Sequence, residues 1–166
     1  MKSHNPTLFA RHTAGFTLPE LMTVLAIMAI LAMVVTPGLT GFIQSNQATS
    51  AANMLLNQLQ LTRSEAVKQS ANVSLCPSTD QTNCADSINW QGYLLIRDSN
   101  KVISVVEIPT NLTIKASADV DKVSFNSVGA ASQAITFNVQ RQAHCFKVEL
   151  QLNGRAEVRR GGCSDA

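Results

Sequence analysis

The sequence has 166 residues, a formal net charge of +2 and 14% charged residues, against about a quarter in ordinary soluble domains. The length suits one modest domain, or a domain with a tail, and leaves no room for a two-domain enzyme built around a cofactor. So neutral a chain does not bind nucleic acid by bulk charge, and three scattered His, His4, His12 and His144, offer no metal or catalytic centre.

The first fifteen residues carry Lys2 and Arg11 and no acid. By the positive-inside rule this end stays in the cytoplasm. No Asp, Glu, Lys or Arg then occurs between Glu20 and Arg63. The first part of that gap, Leu21 to Val35, is apolar apart from Thr23. Extended back to Phe16 it reaches the roughly 20 residues a helix needs to cross a bilayer core. The pattern predicts a membrane helix over 16–35 and a soluble region on the far side. A plain secretory signal would place a small-x-small cleavage site after the apolar core. Nothing after Val35 resembles one, and such a signal has no use for Glu20.

An ionised carboxylate in a membrane segment costs about 3 kcal/mol or more, and it commonly marks a function with a partner. The bland alternative is an interfacial Glu flanking a helix that starts at Leu21. The neighbours decide. Gly15-Phe16-Thr17-Leu18-Pro19-Glu20 resembles the processing site of type IV prepilins and related pseudopilins. The resemblance implies that a prepilin peptidase cuts after Gly15 and that the new N-terminal residue, Phe16, is N-methylated. In that family a Glu stands fifth after the cut, as Glu20 does, and often a Pro twenty-second, as Pro37 does.

The chemistry agrees. Cleavage creates a cationic amine at Phe16 in apolar surroundings, and Glu20 is an anion one helical turn away. The two can pair within a chain at i, i+4 spacing. Alternatively, the amine of an incoming subunit meets the Glu20 of its neighbour, which is the account the resemblance favours. Pro19 stands where commoner pilins carry an aliphatic residue, in a first turn where its missing N–H costs little.

Thr36-Pro37-Gly38 either ends the helix or kinks it, since Pro removes a hydrogen bond and Gly adds freedom. Beyond it Ala48, Ala51, Ala52, Leu55, Leu59 and Ala66 recur at helical spacing between Gln and Asn. This stripe favours one long helix over 16–71 with a weak point at Pro37 and Gly38, laid by its second half on a globular domain. Arg63, Glu65 and Lys68 are expected to face water.

From Asn72 the character changes. β-rich runs appear at 73–76, 93–97, 102–108, 112–114, 134–138 and 145–152, with Asp98-Ser99-Asn100 as a turn. Residues 117–132 read as loop-rich. A helix followed by antiparallel strands is an α+β layout. The resemblance makes it type IV pilin-like, a long N-terminal helix packed on an antiparallel β-sheet domain over 72–166.

Four Cys in an oxidising compartment suggest two disulfides, and four Cys allow three pairings. Cys76–Cys84 and Cys145–Cys163 are preferred. Each ties a loop or hairpin locally and contributes about 2–4 kcal/mol. Zinc is disfavoured, because the sequence contains no Cys-x-x-Cys pair. Cys76-Pro77-Ser78 with the second Cys, Trp90, Gly92 and Asp98 resembles the GspH/FimT/FimU branch of minor pilins and pseudopilins. Type II secretion pseudopilins of that branch usually lack this Cys set, which favours a pilus. Trp90, the one Trp, is expected to pack against the helix rather than bind a ligand.

Asn153-Gly154 marks a hairpin turn. A two-residue loop would mix faces. A three-residue loop of Leu152-Asn153-Gly154, with Gly154 in a bulge, sets Val148 opposite Val158 and Leu150 opposite Ala156. The other face then carries Lys147, Arg155 and Arg159 with Glu149 and Glu157. In FimT-like pilins a Gly-Arg-x-Arg tail motif goes with DNA binding. Here Glu157 takes the second Arg position, so Arg155, Arg159 and Arg160 are disfavoured as phosphate contacts.

The resulting expectation is a minor type IV pilin, an assembly subunit and not an enzyme, with no catalytic residue, cofactor or metal. Its expected partners are prepilin peptidase, the inner membrane, and major and minor pilins met through the N-terminal helix. It is expected to sit as a single-pass protein of the bacterial inner membrane with a periplasmic domain, then in the pilus fibre. The alternatives are a type II secretion minor pseudopilin and a DNA-binding minor pilin of natural transformation.

Overall fold

The computed structural model describes residues 15–99, 101–117 and 120–161, excepting the side chains of 34–38. The leader up to Ala14 lies outside the described residues. One helix, α1 (Leu18–Gln69), is followed by nine strands: β1 (Val73–Ser78), β2 (Asn89–Trp90), β3 (Tyr93–Arg97), β4 (Val102–Glu107), β5 (Thr113–Ala116), β6 (Val123–Phe125), β7 (Ile135–Arg141), β8 (His144–Leu150) and β9 (Ala156–Arg160). Backbone contacts divide the chain into two compact units, one ending at Thr40 and one starting at Gly41.

α1 begins where Thr17 O accepts the Leu21 N–H at 3.1 Å, which makes Thr17 the N-cap and puts Glu20 in the first turn. A carboxylate there suits the positive end of the helix dipole. Helical assignment is unbroken through Thr36-Pro37-Gly38, so the helix does not end at the proline. It ends in a Schellman arrangement. Ser70 takes φ 51°, its N–H bonds Val67 O, and Ala71 N–H bonds Ala66 O, both at 3.2 Å.

In the second unit α1 buries Ala48, Ala51, Ala52, Leu55, Leu59 and Ala66, the stripe read from the sequence. Thr62 is buried with them, and its hydroxyl is satisfied by donation to Gln58 O at 2.6 Å. They share one core with Leu75, Trp90, Ile114, Phe125, Phe137 and Val148. Trp90 is fully buried, edge-to-face with Phe137 at 4.7 Å, and its indole N–H donates to Val120 O at 3.4 Å.

The strands form two antiparallel sheets, ordered β4-β3-β1-β6 and β2-β5-β7-β8-β9, where the sequence reading implies one. Gly92 is the corner between them. It lies between β2 of one sheet and β3 of the other with φ 80°. A Cβ there would stand 2.6 Å from Ser78 O, so only Gly lets the chain turn so sharply against β1. The region 117–132 is also not all loop. Val123 and Phe125 of β6 are fully buried and pair with β1.

Candidate assembly surface

Every described side chain from Gly15 to Met33 is exposed. The apolar ones go all round the helix, with Leu18 at 73%, Met28 at 62% and Met33 at 78% exposed. A helix apolar on all sides is stable only when buried by a membrane or by other chains. Among the described residues no helix is long and apolar enough to cross a membrane; the described apolar run ends at Met33. Phe16 and Thr17 precede the helix, so the i, i+4 helical geometry between Phe16 and Glu20 is not formed within this unprocessed chain. A Cβ at Gly15 would meet nothing within 4 Å.

Cys76 and Cys84 form a disulfide with Cα atoms 5.6 Å apart. The loop it closes is built round Asp80. That carboxylate accepts the backbone N–H of Thr82 at 2.9 Å and of Asn83 at 2.8 Å, and the Asn83 amide at 2.9 Å. These bonds, that of Asn83 N–H first, hold its pKa well below the usual carboxylate range. The loop's contribution is therefore present above the ordinary Asp pKa and is lost only as pH falls below it. Cys145 is disulfide-bonded; Cys163, its expected partner, lies outside the described residues.

The β8–β9 hairpin takes the bulged register, with Val148 opposite Val158 and Leu150 opposite Ala156. Gly154 sits in the loop at φ 77°. On the outer face Lys147 stands opposite Arg159 and Glu149 opposite Glu157. These like-charge pairs are unfavourable alone. Arg159 resolves them, reaching Glu157 at 3.0 Å and Glu149 at 3.3 Å. Its hydrogen bond to Glu157 is the first cause that holds the Glu157 carboxyl below its ordinary pKa and raises that of Arg159. Arg155 is 3.9 Å from Glu157. Arg160 lies on the other face, over the Phe146 ring at 5.9 Å and near Ser45 Oγ at 3.5 Å. The three arginines do not converge, and two share acids.

These pairings set an expected result with DNA. The region 45–166 binds a duplex weakly at physiological salt, and replacing Arg155, Arg159 and Arg160 by Ala changes little. Each net phosphate contact would add about −0.9 to the salt slope. Tight binding that falls steeply with salt and vanishes in the triple variant would restore the DNA-receptor reading.

Arg63 corrects an expectation. It is half-buried, with its side chain laid over Gly129 and Gly154. The sequence places it on a polar helix face but holds no sign of the two turns that meet it. Among the described residues no group of three or more His, Cys, Asp or Glu comes together to hold a metal.

The family model described as type II transport protein GspH matches residues 51–154. The prokaryotic N-terminal methylation motif matches residues 10–36. No curated protein matches the chain significantly in sequence. Among solved structures the fold is similar to the type IV minor pilin FimU of Pseudomonas aeruginosa in two crystal forms. One has a TM-score of 0.59 and 23% identity over 71% of this chain and 92% of that one. The other has a TM-score of 0.56 and 24% identity over 67% and 91%. The minor pseudopilin EpsH from the type 2 secretion system of Vibrio cholerae matches with a TM-score of 0.49 and 14% identity, over 69% and 97%.

Proposed function

This chain belongs to the GspH family, and we propose that within it the protein is a minor pilin of a type IV pilus. It is a minor pilin or pseudopilin whose N-terminal methylation motif is processed by prepilin peptidase. The observation that carries the finer reading is the pair of features at the two ends of the helical segment. Gly15-Phe16 and Glu20 head a helix whose apolar side chains from Leu18 to Met33 are exposed. The Cys76–Cys84 loop follows in the domain behind it, and in this branch that cysteine set goes with pili.

In the proposed sequence of events the segment 16–35 first anchors the chain in the inner membrane, with the domain 72–166 in the periplasm. Cleavage after Gly15 then exposes the amine of Phe16, which is methylated. The amine of an entering subunit pairs with Glu20 of its neighbour, because an unpaired charge in hydrocarbon costs about 3 kcal/mol or more. Pro37 and Gly38 give the helix a weak point for fitting into the fibre. Function is carried by assembly, not catalysis.

A deletion strain tests pilus against secretion. The account expects loss or shortening of surface pili with protein export unchanged. Normal piliation with failed export would assign the chain to a secretion pseudopilus.

A further inference from the structure

Two turns meet at one end of the second unit. The first is Asn126-Ser127-Val128-Gly129. Asn126 Oδ1 accepts the N–H of Val128 at 3.1 Å and of Ala130 at 2.9 Å, and Gly129 N–H closes on Asn126 O at 2.9 Å. The second is the β8–β9 loop. Gly154 N–H donates to Gln151 O at 2.9 Å, and Asn153 Oδ1 accepts Arg155 N–H at 2.9 Å. The two are tied together where Ala131 N–H donates to Leu152 O at 2.9 Å.

Turns held this firmly nevertheless hold apolar side chains in water. Val128 is 77% exposed and Leu152 60%. Val67 of α1, 48% exposed, lies against Gly129. Arg63 runs between them, so that a Cβ at Gly129 or Gly154 would stand 2.9 Å from its Nε. Among the described residues Arg63 forms no ion pair, while Glu65 is bonded to Lys68 and Gln69, and Glu149 and Glu157 to Arg159. No carboxylate among the described residues pairs with Arg63, which leaves it available to a carboxylate of another molecule.

We propose that Val67, Val128 and Leu152 around Arg63 form a docking surface for the globular domain of another pilin-class subunit, one that offers an apolar side chain beside a carboxylate. The proposal rests on the assembly reading. The stiff turns leave little entropy to lose on binding. A single half-buried cation in an apolar surface selects its partner by charge.

The test uses the full chain in the cell that makes it, with a photo-cross-linking residue at Val128 and, separately, at Leu25 in the apolar half of α1. Both sites are expected to cross-link to other subunits that carry an N-terminal methylation segment. Arg63→Glu should lower the Val128 yield about tenfold, since 1.4 kcal/mol is a factor of ten. It should leave the Leu25 yield unchanged, and Arg63→Lys should stay near wild type. Val128→Asp, which leaves Arg63 in place, should weaken capture at a cross-linker placed at Leu152. Suppose Leu25 cross-links while Val128 gives nothing, only lipid, only a second copy of this chain, or a yield indifferent to Arg63→Glu. The docking proposal is then overturned and the assembly reading stands. If neither site cross-links, the assembly reading falls first.

Discussion

Gly15→Val leaves the leader attached to the chain. The structure gives no folding reason for Gly at this position, because a Cβ there meets open space. On the proposed processing, the substitution therefore acts on recognition by the peptidase. The expected effect is close to all-or-none. The cellular protein should keep the mass of the uncut chain, and none should begin at Phe16. The folded region should be intact, with Cys76–Cys84 formed, because Gly15 lies outside the unit that holds the core. Normal cleavage of this variant would remove the main support for processing at Gly15-Phe16.

Glu20→Ala separates membrane insertion from assembly. It makes the segment more apolar, so insertion is unchanged or improved. On the proposed pairing it removes the partner of the Phe16 amine, so incorporation into fibres should fall. An uncompensated charge in the membrane costs about 2.5–3.5 kcal/mol on insertion scales, which corresponds to roughly a hundredfold at 1.4 kcal/mol per factor of ten. Glu20→Gln should fail nearly as badly, since it keeps the shape and loses the charge. Glu20 also sits in the first turn of α1, where it favours the helix dipole. That effect is at most ~1 kcal/mol at an exposed end, so it cannot account for a hundredfold loss. Recovery of either variant in sheared fibres at wild-type amounts would show that the charge pair is dispensable.

Much of this was legible because two periodicities survive in the sequence. Ala48 to Ala66 keep the 3.6-residue stripe, and all six positions are buried. In the hairpin the alternation of Val148 and Leu150 against Val158 and Ala156 left one register that keeps the apolar face whole, and that register is formed. What escaped was short or non-local. β2 has two residues and β6 three, too few to display an alternation. The change of sheet at Gly92 depends on the distant Ser78 carbonyl. Trp90 lies in the core that the helix stripe shares, with Phe137 of β7 as its ring partner. Arg63 looked like a solvated helix residue because the turns at Gly129 and Gly154 that receive it are far along the chain. The N-terminal methylation motif over residues 10–36 is legible for the opposite reason. Its residues are consecutive in the chain, so no distant contact is needed to recognise it.

We propose that this chain is cut before Phe16, methylated there and built into a fibre through α1. Mass spectrometry of protein recovered from sheared fibres tests it most directly. The account predicts a chain that begins at N-methylated Phe16 and retains Cys76–Cys84. Recovery of the chain only from cells, still carrying residues 1–15 or starting after Val35, would contradict it.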